Sequence, residues 1–189
     1  MPALTQITKP AFDLFSLEAL KDLVGIQDLT NFDAELYLWM RAATDWVEHY
    51  TSRVLRESTW RLTLAEFPVK AGRIELPLFP VLAVNGIQYR DGSGALQTWD
   101  PSKYIVLTDN DPALIYAAPG NEWPNTQAYR PDAVMIDFVA GYEVQTDDSY
   151  AAPGAMSLAV QSFVRDRWNR RSQPAAKGAT KSTNRRTLL

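Results

Sequence analysis

Apolar positions repeat along this chain with two different periods, and the change of period divides it. Phe32, Leu36, Trp39, Met40, Ala43, Trp46, Val47, Tyr50 and Val54 recur at three- and four-residue steps. That spacing predicts an amphipathic helix of roughly five to six turns. Thr30 and Asn31 open it, and Asp33 and Glu35 fall in its first turn, where carboxylates complement the helix dipole. A shorter helix is predicted over 17–24, with Ser16 as N-cap, Gly25 as C-cap and Leu17, Leu20, Leu23 and Val24 as its stripe. Residues 1–15 show little periodicity and predict an irregular run across a surface.

From Thr59 the period becomes two. Trp60, Leu62 and Leu64 alternate with Arg61, Thr63 and Ala65 in a half-buried strand over 59–67, stopped by Pro68. Ile74 and Leu76 predict a short strand closed by Pro77 and Pro80. Val81–Tyr89 predicts another, in which Asn85-Gly86 is either a bulge or a tight turn. Asp91-Gly92-Ser93-Gly94 reads as a hairpin turn with Leu96–Trp99 returning. Tyr104–Leu107 and Ala113–Tyr116 flank a turn at Asp109–Pro112. Ala133–Val139 is the last strand, with Val134, Ile136 and Phe138 on one face. Pro153 suits the first turn of a closing helix over about 154–170.

The predicted class is therefore α+β. A small helical frame (16–56 and 153–171) holds an inserted antiparallel β-module (57–142) in a single domain over 1–171, followed by a flexible basic tail, 172–189. At 189 residues, 46% hydrophobic and 22% charged, the chain can bury a core. No apolar run reaches 18 residues, so no membrane helix is expected. The first 15 residues do not read as a secretory signal. Cysteine is absent, which excludes disulfides, thiolate ligands and a cysteine nucleophile and fits a reducing cytoplasm.

Charge adds a partition. Six of the 19 basic residues (Arg170, Arg171, Lys177, Lys181, Arg185 and Arg186) lie in the last 20 positions, where there is no acid. The body keeps the other 13 against all 22 acids. An acidic body with a basic tail speaks to partners rather than to fold.

Catalytic chemistry finds little support. His49 is the single histidine, sits late in the long helix, and has no zinc-binding or nucleophile-elbow motif around it. Asp109 and Asp111, and Asp147 and Asp148, lack the calcium-loop spacing, since Pro112 stands where a glycine turn would continue. No acid pair is singled out for glycoside hydrolysis. The chain has no phosphate-binding glycine loop. Six tryptophans and eight tyrosines suit either a core or interface anchors. Trp39, Trp46 and Trp168 fall on apolar helix faces and read as core. Trp123, before Pro124 in a loop, reads as an interface contact. No cofactor or metal is called for.

In order and spacing, these phrases resemble one family, the head–tail connector (adaptor, head-completion) proteins of tailed bacteriophages, including the adaptors of gene-transfer-agent particles. The resemblance covers roughly 16–171. It rests on LEALKDLVGI (17–26), AATDWVEHYTSRVL (42–55), WRLTLAEFP (60–68), IELPLFPVLAVNGIQYRDGSG (74–94), Trp123-Pro124 and VMIDFVAGY (134–142). It closes on RWNRR (167–171), where Arg171 replaces the family's glutamate.

What the resemblance implies is a non-enzymatic virion protein, assembled in the host cytoplasm. Usually twelve copies form a ring under the portal protein, extend the DNA channel and dock a stopper or tail-completion protein. DNA would pass without sequence-specific binding, and no membrane is involved. The portal would meet Phe163, Arg167, Trp168, Arg170, Arg171, Lys177, Lys181, Arg185 and Arg186. Neighbouring subunits or the next neck component would meet Asp91, Gly92, Gly94, Trp123 and Pro124. Two other classes remain: a carboxylate-dependent carbohydrate-binding or hydrolytic module built on the aromatic β-region, and DNA binding through the tail.

Overall fold

The computed structural model describes residues 2–69, 72–145 and 150–171. It is α+β. Helices α1 (Leu17–Val24), α2 (Asp33–Thr51) and α3 (Gly154–Arg171) accompany strands β1 (Ala3–Thr8), β2 (Ser58–Leu64), β3 (Ile74–Leu76), β4 (Val81–Arg90), β5 (Leu96–Trp99), β6 (Tyr104–Leu107), β7 (Ala113–Ala117) and β8 (Val134–Ala140). The proposed tail, 172–189, and Asp147 and Asp148 lie outside the described residues.

The strands form two antiparallel sheets rather than one, in the orders β1-β2-β8-β4-β5 and β3-β7-β6. Strand β8 is central because it alternates without interruption: Val134, Ile136, Phe138 and Ala140 are buried, and the residues between them are half-buried. Both sheets feed one core, in which Leu62, Ile87, Ile136 and Phe138 of the large sheet meet Ile74, Leu76 and Ile115 of the small one. Asn85-Gly86 is a bulge, since the β4–β8 register slips between Val84 and Gly86.

The helices enclose a second core of Leu20, Leu36, Met40, Ala43, Val47, Val160 and Val164, joined by Leu14, Leu55 and Tyr150. Ser16 caps α1 by accepting from the Ala19 amide, and Gly25 ends it in the left-handed region.

Three expectations need correction. Residues 3–8 are a strand, not an irregular run; β1 pairs with β2 from Ala3↔Thr63 to Thr8↔Thr59. Helix α2 starts at Asp33 after Phe32, with no side-chain cap, so Thr30 and Asn31 stand outside it, and it ends before Val54. Trp46 and Tyr50 are not core: they are 61% and 76% exposed and stack on each other, 5.3 Å between ring centroids.

Helices and sheets meet where three segments cross. The Val54 amide donates to the Phe79 carbonyl (2.9 Å), and the Gly141 amide to the Pro80 carbonyl (2.9 Å). Glu48 reaches from α2 to accept from the Leu55 amide at 2.8 Å. Burial there pushes the Glu48 carboxyl up, against that amide and the Arg56 guanidinium. Gly141, at φ +120°, passes so close to Arg56 that a Cβ would stand 2.5 Å from the Arg56 carbonyl oxygen.

Candidate functional site

The sequence nominated two surfaces, the end of the last helix and a pair of loops on the β-module. At the helix end, Trp168 and Arg171 are already engaged inside the subunit. Trp168 packs edge-on to Phe32 at 5.3 Å, and the Arg171 guanidinium lies 3.9 Å from the Phe32 ring centroid and 4.0 Å from that of Trp168. Arg171 also stands 3.6 Å from Glu35 at the start of α2. These contacts tie the end of α3 to the start of α2 by aromatic and cation–π attraction. An arginine at 171, where the resembled family has glutamate, thus has a local task. Phe163, Arg167 and Arg170 remain on the exposed side of α3, with Arg167 over the Phe163 ring and Arg170 paired to Asp166 one turn back. Lys177, Lys181, Arg185 and Arg186 lie outside the described residues.

The two loops come together. A Cβ on Gly94, at φ +87°, would stand 3.2 Å from the side-chain amide of Gln127, and the Gln127 backbone amide donates to the Arg90 carbonyl. The hairpin turn therefore rests on the long connection between β7 and β8. Asp91 is consumed by the turn: its carboxylate accepts from the Ser93 amide and hydroxyl, the Ala95 amide and the Gln97 side chain. These hydrogen bonds, those of Ser93 and Gln97 above all, lower its pKa from 3.8 to about 2. Since the folded value lies below the unfolded one, Asp91 supports the hairpin fully above about pH 4 and stops doing so as pH falls through about 2. A carboxyl-carbon NMR titration is expected to place its midpoint at about 2; a midpoint at the ordinary value would refute this account of the turn.

Trp123 is half-buried and packed within the subunit. Its ring stacks on Phe67 (5.0 Å) and leans on Trp99 (4.6 Å), and its indole N–H donates to the Gly72 carbonyl at 2.9 Å. Tyr89 and Tyr104 complete this aromatic block. Rings that could have stacked on a sugar are packed against one another. The neighbouring Tyr129, which the sequence did not single out, is fully exposed and held at φ +59°. An open groove of about 1220 Å³ runs between this connection and residues 65–69 with Gly72.

Among the described residues, no three His, Cys, Asp or Glu side chains converge to hold a metal ion, and no helix is long and apolar enough to cross a membrane. The arrangement offers surfaces for contact, with aromatic side chains fixed from behind.

No protein-family model and no curated protein matches the chain. Solved structures do match its shape. A chain from the virion of a native gene transfer agent particle superposes with a TM-score of 0.71 at 23% identity, covering 92% of this chain and 88% of that one. A chain from the neck of an empty particle, computed with sixfold symmetry, gives 0.71 at 22% identity over 95% and 89%. A chain from the neck of a native particle, computed with twelvefold symmetry, gives 0.70 at 23% identity over 93% and 87%. At this level of identity the likeness establishes a shared fold over nearly the whole of both chains: the protein has the fold of chains found in gene-transfer-agent virions and necks.

Proposed function

We propose that this chain is a non-enzymatic structural protein of a virion neck, an adaptor that closes into a ring beneath a portal protein. In this reading the ring extends the DNA channel and docks a stopper or tail-completion protein. The observation that carries the proposal is the near full-length fold likeness to a chain from a twelvefold neck. The engagement of the aromatic block in packing supports contact work over a carbohydrate site. The acid excess of the body suits a channel that does not grip DNA as it passes.

Within this reading the portal-facing surface is the outer side of α3 together with the basic residues that follow it. Phe163, Arg167 and Arg170 supply its part on the helix, while Trp168 and Arg171 hold the helix end in position. Residues 1–171 act as one adaptor domain, assembled in the host cytoplasm.

The test is symmetry-resolved imaging of the purified protein mixed with portal-bearing heads. A ring of twelve copies at the portal vertex is expected. Removing residues 172–189 is expected to abolish attachment to the heads. Protein that stays monomeric in the presence of portal rings sinks the adaptor reading, and normal attachment of the truncated chain sinks the tail's part in it.

A further inference from the structure

Helix α2 is apolar on two sides. Leu36, Met40, Ala43 and Val47 face the helical core. Leu38, Ala42, Trp46 and Tyr50, spaced four residues apart, form a second stripe about 18 Å long at 1.5 Å per residue. Leu38 is 65% exposed, Trp46 and Tyr50 are exposed as well, and the stacked indole and phenol present one flat aromatic surface. At about 100° per residue the stripe winds from the side opposite the core at Leu38 toward the edge of the core at Tyr50. Within the subunit only the core side of the helix has a partner. The charges flanking the stripe are already spoken for: Arg41 pairs with Asp13 at 2.7 Å, and Asp45 stands 3.5 Å from Arg56. What faces outward is an aromatic and aliphatic stripe bordered by the exposed but paired Arg41 and Asp45 and by the exposed His49, and its large apolar side chains are of the kind that anchors protein contacts.

We propose that this stripe is one half of the seam between copies of the chain, and that its occupant is the next subunit of the ring. The inference rests on the ring reading above and gives it a place. A closed ring uses heterologous contacts, in which two different faces of the same subunit meet. The subunit shows a second uncovered apolar face. On the outside of the small sheet, Ile105 and Leu107 are exposed beside Leu114 and Tyr116, their register partners across β6 and β7, while the exposed Glu75–Arg73 pair borders this patch from β3. An antiparallel sheet that faces water on one side normally carries polar residues there. Two unlike apolar faces on one chain are what a head-to-tail contact requires, whereas a single self-complementary face would close a dimer. The twelvefold neck in which a chain of this fold occurs fits the same requirement.

The experiment combines a charge substitution with a cross-link. Trp46→Glu replaces an exposed side chain, so its thermal melt should match wild type, while ring formation on portal-bearing heads should weaken roughly thirtyfold or more. Independently, a photoreactive benzoylphenylalanine replacing Tyr50 in otherwise wild-type rings should yield a product of twice the 21.2 kDa chain mass. Rings formed normally by Trp46→Glu, or a Tyr50 probe that captures a different neck protein or nothing, would overturn the seam while leaving the ring reading intact. Wild-type protein that forms no ring removes both together.

Discussion

A Gly141→Ala variant is expected to lose roughly 3 kcal/mol or more of folding stability and to accumulate largely as insoluble protein. Two independent costs converge on this position. At φ +120° an L-residue is strained whatever the surrounding space. The added methyl would also meet the Arg56–Glu57 peptide, 2.5 Å from the carbonyl oxygen and 2.7 Å from the following nitrogen. Neither atom can rotate away, because both are backbone. Yielding would require pulling Gly141 off the Pro80 carbonyl or shifting the start of β2, which pairs Ser58 with Ala140. Gly92→Ala is the control, since Gly92 has nothing within 4 Å of a new Cβ and no positive φ. Denaturant unfolding of the two variants side by side decides the matter. A Gly141→Ala midpoint equal to that of Gly92→Ala would show that the crossing tolerates movement.

Trp123→Ala is expected to cost roughly 2–4 kcal/mol, as removal of a large ring from a packed aromatic group does. The indole is held by two segments distant from it in sequence: the connection after β2, which supplies Phe67 and the Gly72 carbonyl, and the end of β5, which supplies Trp99. Trp123→Phe should recover the stacking and lose about 1 kcal/mol with the hydrogen bond. Near-ultraviolet circular dichroism followed through urea unfolding measures both. If Trp123→Ala unfolds at the wild-type midpoint, the side chain is a surface contact after all.

The elements legible in the sequence were those whose information is local. The Asp91–Gly94 hairpin, the short strand between Arg73 and Pro77, the alternation in β8 and the Ser16 and Gly25 caps all fall where turn and cap chemistry puts them. Strand β1 was not legible because all six of its residues are exposed, which leaves no alternation to read. Its identity comes from pairing with Trp60–Thr63, more than 50 residues away. On α2 the period was right and the orientation incomplete. Two apolar stripes share one helix, and spacing alone does not say which of them the subunit covers. Trp123 sits in a segment with no regular structure, so its burial depends on three distant partners that no local pattern announces. The convergence of the Gly94 turn on Gln127 is non-local in the same way.

The close passage of Gly141 by Arg56 bears on chain entropy. The helical core draws on residues up to Leu55 and again from Tyr150, so nearly half the chain lies between its two contributions. Bringing together the ends of a structureless loop of roughly 80 residues costs about 4 kcal/mol, beyond a constant term. Here β2 and β8 bear that cost, because their own ladder sets Ser58 opposite Ala140. To the helices, the intervening chain behaves as a short rigid link. Changing the length of its outer turns leaves the distance across the link unaltered, and the frame is insulated from variation in the loops it carries.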